Sequence, residues 1–270
     1  MKIFKKPMLL MLVLSAMVSL QGCALYEGFR FNEDETNSVE DKLMETRNLL
    51  RRANVGVNLE YRSGGSWVPG RVVEGESQGS GVVFAKSENH YYALTNFHVI
   101  DPEDYDEVHV TVVPSTEEIE IDASVVASDE SRDLAILQFN RDDHDIGVLK
   151  MDMSVYDGLK QEDMLLAVGN PSAVNSIVTF GLYHGMVGTD NVDFDVIYHS
   201  ALIYPGNSGG ALATMDGYLV GINTWGVTGE SERNLAVPLD EIYDFLEEEG
   251  FIDTEDDDDS DNDHTAGHMD

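Results

Sequence analysis

The segment Pro205-Gly206-Asn207-Ser208-Gly209-Gly210 sets a serine among glycines. Glycines let the backbone turn tightly, so one hydroxyl and the free N–H groups of Gly206 and Ser208 can be presented to a single point. That arrangement suits addition of Ser208 Oγ to a carbonyl, with the two amides as an oxyanion hole. A serine hydroxyl is a weak nucleophile and needs a neighbouring base held in one tautomer. His98 is the candidate base. It stands in Ala93-Leu94-Thr95-Asn96-Phe97-His98-Val99-Ile100, at the end of an apolar run where an unpartnered imidazole would be costly to bury. Asp133 is the candidate orienter, a carboxylate at the mouth of the apolar run Leu134-Ala135-Ile136-Leu137. Each residue alone has a plainer reading. Glycine and serine also make ordinary β-turns, His98 could be a core histidine with a satisfied ring, and Asp133 could cap a turn.

Elements that could position these groups are short and β-rich. The first set of runs is Val55 to Tyr61, Gly81 to Phe84, Tyr91 to Thr95, Val108 to Val113, Ser124 to Ala127 and Leu134 to Phe139. The second is Leu165 to Val168, Ile177 to Leu182, Val196 to Ser200, Ala211 to Thr214, Tyr218 to Asn223 and Asn234 to Val237. Six and six predict two similar antiparallel β units in an all-β fold. A short helix is predicted after Asn37-Ser38, with Leu43, Met44, Leu49 and Leu50 at helical spacing. A closing helix is predicted with Asp240 as cap, Ile242, Phe245 and Leu246 on one face, and Gly250 as the stop.

The order His98, Asp133, Ser208 resembles that of the trypsin-like serine proteases. Thr95 to Val99, Asp133 to Leu137 and Gly206 to Gly210 are similar to the HtrA (Deg) branch motifs Thr-Asn-x-His-Val, Asp-x-Ala-x-Leu and Gly-Asn-Ser-Gly-Gly. So are Gly169-Asn170-Pro171, Gly221-Ile222-Asn223-Thr224 and Ala236-Val237-Pro238, and the resemblance spans about Asn54 to Gly250. It implies two six-stranded antiparallel β-barrels, about 54–150 and 151–238, with the triad in the cleft between them. It also implies a primary specificity pocket floored by Leu202, hence cleavage after small or medium apolar residues. Thr224-Trp225-Gly226 is implied as the edge that pairs with an extended substrate backbone, although Trp225 could equally be a core or rim aromatic. The family's aspartate ahead of the serine loop is Ser200 here, and its asparagine before the proline is Tyr204. Members often form trimers through N-terminal aromatics; Tyr26, Phe29 and Phe31 could take that role, but the plainer reading is a flexible tether that carries stray aromatics, and the sequence leaves the oligomeric state open. The chain runs only to Asp270 after Gly250, so no PDZ domain is expected.

Lys2, Lys5 and Lys6 precede an apolar run from Met8 to Leu20, the pattern of a secretory signal over residues 1–22. The run is shorter than a spanning helix needs and ends in Leu20-Gln21-Gly22-Cys23, which resembles a bacterial lipobox. Cys23 is therefore the expected lipidation site, residues 23–53 a tether with the short helix, and the protein an exported lipoprotein anchored to the cell envelope. As the only cysteine, Cys23 leaves no internal disulfide. Residues 251–270 carry the block Glu255 to Asp263, a self-repelling tail expected to be disordered. With 16 basic against 51 acidic residues, the formal net charge is −35, a poor surface for nucleic acid. His90, His109, His144, His184 and His199 lack zinc-ligand spacing, so neither metal nor cofactor is expected. The expected activity is serine endopeptidase action on exposed or unfolded protein segments. The alternative is a lipoprotein that keeps the fold and binds peptides without cutting them.

Overall fold

The computed structural model describes residues 33–64, 72–101, 107–117, 119–141, 144–171, 176–227 and 233–252. The signal segment, Cys23, the aromatics Tyr26, Phe29 and Phe31, and the acidic run from Glu255 lie outside the described residues.

The chain divides into two compact units, residues 1–43 and 44–270. What is described of the first is the opening of helix α1 (Glu33–Ala53), which continues into the second. The helix starts earlier than the Asn37-Ser38 signal predicts. Glu33, Asp34 and Glu35 open it and Arg51 and Arg52 close it, the charge order that a helix dipole favours. Its second half is part of the folded body rather than a tether. Leu50 and Ala53 are fully buried, Thr46 Oγ1 donates to Met215 O at 2.7 Å, and Gly147 N donates to Arg52 O at 2.9 Å.

Eleven of the twelve predicted runs fall within strands, and the run from Val196 to Ser200 passes the end of its strand by one residue. β1 (Asn54–Gly64), β2 (Val72–Lys86), β3 (His90–Thr95), β4 (Glu107–Pro114), β5 (Ile121–Asp129) and β6 (Leu134–Asn140) close into an antiparallel barrel in the order β1-β2-β3-β6-β5-β4. Alternation does the work in β1, where Val55, Val57 and Leu59 face inward onto Val83, Tyr91, Leu137 and Phe139. Closure removes both sheet edges. The four-residue helix α2 (Phe97–Ile100) follows β3 and buries Val99 and Ile100 in this first core.

β7 (Lys150–Met151) and helix α3 (Met153–Asp157), capped by the Asp152 carboxylate, lead into the second barrel. Its strands are β8 (Met164–Gly169), β9 (Ile177–Val187), β10 (Val196–His199), β11 (Ala211–Thr214), β12 (Tyr218–Val227) and β13 (Arg233–Pro238). The order is β11-β8-β9-β10-β13-β12, and the β11–β12 pairing closes it, with β7 added in parallel on β12. β7 is too short to carry a sequence pattern. Leu165, Ala167, Ile197, Leu212, Val220 and Ala236 fill the interior.

Helix α4 (Leu239–Glu248) ends the fold, burying Leu239, Ile242, Phe245 and Leu246. Pro238, not Asp240, occupies the N-cap. Proline has no N–H to satisfy there, and Asp240 and Glu241 in the first turn complement the dipole. The stop at Gly250 has φ +75°, with Gly250 N bonded to Glu247 O and Phe251 N to Leu246 O. That pairing is a Schellman ending. It turns Phe251 into edge contact with Phe84 and Tyr92, tying the helix end to the first barrel.

His199 is fully buried in β10, and neither ring nitrogen has a hydrogen-bond partner among the described residues. Burial pushes its pKa down from 6.5 to about 3, and His184 adds to the shift. The unfolded chain therefore binds this proton below its ordinary value while the folded chain refuses it. Stability associated with the neutral ring is present above the unfolded pKa and is lost as pH falls from 6.5 toward 3. Replacing His199 with leucine should raise unfolding free energy relative to the parent by about 3 kcal/mol more at pH ~4 than at pH ~7. Denaturant titrations of both proteins at the two pH values measure that difference, and a pH-independent gap would remove the buried ring from the explanation.

Candidate active site

β3 ends at Thr95, and the chain turns through the fully buried Asn96 into α2, which presents His98. The Asn96 amide donates to Asp133 O at 2.9 Å, so the turn carrying the imidazole is tied to the residue that faces it. Asp133 sits at the end of the tight turn entering β6, with φ +54° and its N–H on Glu130 O at 3.2 Å. A non-glycine residue in the left-handed region costs energy and persists only where its surroundings fix it.

Those surroundings include Arg132. Its guanidinium bonds Asp129 at 2.6 Å and reaches α4 through Glu241 at 3.3 Å and Glu248 at 2.8 Å, twice. Hydrogen bonding to Glu248 raises the Arg132 pKa, so the strut stays charged. Burial works against the Asp129 anion, but hydrogen bonds from Ser131 and Arg132 outweigh it and hold its pKa low. Burial raises that of Glu241.

The Asp133 carboxylate collects three donors. His98 Nδ1 lies 2.9 Å from both of its oxygens, His98 N donates to Oδ1 at 3.0 Å, and Thr224 Oγ1 donates to Oδ2. A carboxylate only accepts, so Nδ1 carries the ring proton and Nε2 is left as a base. The imidazole is 44% exposed and the carboxylate 8%, so the base faces solvent and its partner does not.

Ser208 reaches the same place from the second barrel. Its hydroxyl donates to Thr224 O at 3.1 Å. Thr224 thus touches both halves of the site, accepting from Ser208 with its carbonyl and donating to Asp133 with its hydroxyl. Of the three candidates, His98 and Asp133 are in direct contact. The Ser208 hydroxyl is turned to the β12 edge, where it donates to Thr224 O.

The serine loop is a chain of tight turns. Asn207 N bonds Tyr204 O, Gly209 N bonds Asn223 O and Gly210 N bonds Asn207 O, with φ +96° at Gly206 and +87° at Gly209. Among the described residues, the amides of Gly206 and Ser208 have no protein acceptor. From the first barrel, Ser80 clamps the loop: its N–H donates to Ser208 O at 2.8 Å and its hydroxyl to Gly206 O at 2.6 Å. Asn170 N donates to the same hydroxyl, and Thr95 Oγ1 donates to Ser80 O. Ser80 and Arg132 are the positioning residues that the sequence reading missed. Ser80 lies between Gly79 and Gly81, a backbone signature of close approach that could have found it. A lone arginine before Asp133 carries no comparable signal.

Of the residues expected at the substrate edge, Thr224 is buried, Trp225 is partly buried and Gly226 is exposed. Leu202 is half exposed, its carbonyl accepting from Thr179 Oγ1. A Cβ added at Gly226 would meet the Ile203 side chain at 3.8 Å. Among the described residues no group of three metal-ligating side chains occurs, and His109 and His144 each face a single carboxylate.

The family model for the trypsin-like peptidase domain matches residues 79–222. The chain belongs to the trypsin-like peptidase domain family. Among members, it is similar to the serine protease Do-like HtrA of Bacillus subtilis, 29% identical over 81% of this chain and 50% of that protein. A probable periplasmic DegP-like serine endoprotease of Marinomonas is 36% identical over 59% of this chain and 32% of its own. The chain spans half or less of the length of these curated relatives. Among solved trypsin-like structures, the HtrA-type protease AlgW with a decapeptide superposes with TM-score 0.62 at 25% identity, covering 77% of this chain and 67% of that one. The serine endoprotease from Yersinia pestis gives 0.56 at 27% identity, covering 77% and 66%.

Gly209 has no room for a side chain: a Cβ there would stand 2.0 Å from Ser80 O and 2.4 Å from Thr95 Oγ1. Both atoms belong to the clamp, and the positive φ adds strain. Gly209→Ala should therefore destabilise the protein by more than about 2 kcal/mol. An unfolding midpoint unchanged in urea would contradict the packing described.

Proposed function

We propose that the chain is a serine endopeptidase that hydrolyses peptide bonds in exposed or unfolded protein segments. Ser208 Oγ attacks the carbonyl carbon, and His98 Nε2 takes its proton and later returns it to the leaving amine. Asp133 holds the imidazole in the tautomer that leaves Nε2 free and stabilises the imidazolium. The amides of Gly206 and Ser208 meet the oxyanion. The acyl group on Ser208 is then released by water through the same base.

The observation that carries this reading is the double use of Thr224. One residue accepts from the Ser208 hydroxyl and donates to the carboxylate beside His98, so nucleophile, base and orienter share one anchor. In this reading Trp225 and Gly226, the next residues along β12, pair with an extended substrate backbone. Relatives named as periplasmic serine endoproteases support action outside the cytoplasm. The signal segment and Cys23 add the reading of a lipid-anchored envelope protein, in which two or more acyl chains would anchor without a spanning helix. A peptide-binding protein without turnover would keep the groove but form no acyl-enzyme.

Ser208→Ala should lower casein turnover by several orders of magnitude with folding intact, because nucleophile and base act as a unit. Thr224→Val removes one donor to Asp133 and should lower kcat about tenfold with KM nearly constant. Equal casein cleavage by Ser208→Ala and the parent rejects the endopeptidase reading.

A further inference from the structure

Three consecutive peptide planes run through the nucleophile, and hydrogen bonds pin two of them at both ends. In the plane between Gly206 and Asn207, the carbonyl accepts from Ser80 Oγ at 2.6 Å and the N–H donates to Tyr204 O at 2.9 Å. In the plane between Ser208 and Gly209, the carbonyl accepts from Ser80 N at 2.8 Å and the N–H donates to Asn223 O at 2.9 Å. The middle plane carries the Ser208 N–H, and its carbonyl, on Asn207, accepts from Gly210 N at 3.0 Å. Peptide planes are rigid, so these pins together fix the direction of the Ser208 amide. At φ +96°, Gly206 has no Cβ to restrict it, and the hold on its carbonyl limits how far its own N–H swings. Ser80 therefore supplies one pin to each flank of the oxyanion hole.

The Ser80 hydroxyl has a single proton to give. Asn170 N donates to its oxygen at 2.7 Å, and its own proton goes to Gly206 O. Asn170 is buried just past the end of β8, where its side-chain Oδ1 accepts from the Asn54 amide and from Ser115 Oγ at 3.2 Å. The Asn54 amide also donates to Ser115 Oγ at 2.9 Å, and Ser115 N donates to Asn54 O at 3.1 Å. A relay thus runs from Asn54, the first residue of β1, through Asn170 and Ser80 to the Gly206 carbonyl, its members alternating between the two barrels. Asn54 is fully buried, and its Oδ1 has no partner among the described residues. An unpaired buried acceptor costs free energy that an apolar residue of the same size avoids, so packing alone does not call for asparagine here. What asparagine adds is the pair of donated hydrogen bonds that hold Asn170 and Ser115 together.

We propose that Asn54 is a positioning residue for hydrolysis: acting through Asn170 and Ser80, it fixes the direction in which the Gly206 and Ser208 amides meet the oxyanion. This rests on the endopeptidase reading and adds to it a residue in contact with neither His98, Asp133 nor Ser208. An oxyanion donor contributes only when it is aimed at the place the charged oxygen takes in the transition state, so a small swing of the loop lowers kcat and leaves substrate binding as it was. Outright loss of one such donor costs about a hundredfold or more. Loss of a pin three hydrogen bonds away leaves the donors present but less well aimed, which corresponds to about a tenfold effect.

Asn54→Leu removes both donated hydrogen bonds and keeps the bulk of the side chain. Parent and variant are compared as purified full chains on a peptide taken from casein, with active sites counted by fluorophosphonate labelling run to completion. Turnover per labelled site should fall about tenfold with KM nearly constant. A peptide aldehyde, whose adduct with Ser208 sets an oxyanion against the two amides, should lose affinity by the same factor, while the corresponding alcohol, which forms no adduct, should bind both proteins alike. Ser115→Ala, at a partly exposed position, removes one donor to Asn170 and should give the same pattern at about threefold, which keeps the test available if Asn54→Leu does not fold. Unchanged turnover per labelled site, or equal losses for aldehyde and alcohol, overturns the proposal. So does a fall in activity explained wholly by fewer labelled sites, the mark of residues that serve folding alone. A parent that labels and cleaves while the variants match it overturns the relay only. A parent that neither labels nor cleaves overturns the endopeptidase reading and the relay with it.

Discussion

The site depends on one carboxylate held between two barrels. Asp133 comes from the first barrel and Thr224 from the second, and the hydrogen bond between them is what makes a cleft into a chemical site. Taken out of water, a carboxylate must be matched by donors or it protonates or moves. Here three donors match it, from a backbone amide, an imidazole and a hydroxyl. The strained left-handed conformation of Asp133 is tolerable for the same reason, since its carbonyl, its N–H and its side chain are all engaged.

Around that carboxylate, two clamps of different kinds fix the parts. Ser80 is small and fully buried, and its N–H, hydroxyl and carbonyl together bond the serine loop, Asn170 and Thr95. Short hydrogen bonds in a dry setting make this clamp stiff. Arg132 is long and charged, and it spans from the Asp133 turn to the last helix through three carboxylates. A partly exposed ion-pair network adds less stability than its contact list suggests. Its structural value is connection: the end of α4, fixed on the first barrel by Phe251, bears on the turn that carries Asp133.

How far the sequence carried the fold follows from what each element needed. Strands such as β1 and β6 announce themselves through runs of Val, Leu and Ile, because a barrel interior admits little else. The two-residue β7 has no such run, and α1 begins among residues whose polarity reads as a loop until the dipole is considered. His98, Asp133 and Ser208 could be singled out as candidates because a nucleophile with its base and orienter restricts residue type and the neighbouring glycines restrict backbone. Ser80 and Arg132 were not singled out, since their roles come from proximity across the barrels and to the last helix that linear spacing does not encode.

If Thr224 works through Asp133, the two cannot contribute independently. A double-mutant cycle on kcat/KM with Thr224→Val and Asp133→Asn tests this most directly. The bond between them predicts strong non-additivity, with the double variant no slower than Asp133→Asn alone. Additive losses, each variant multiplying the other's effect in full, would contradict it.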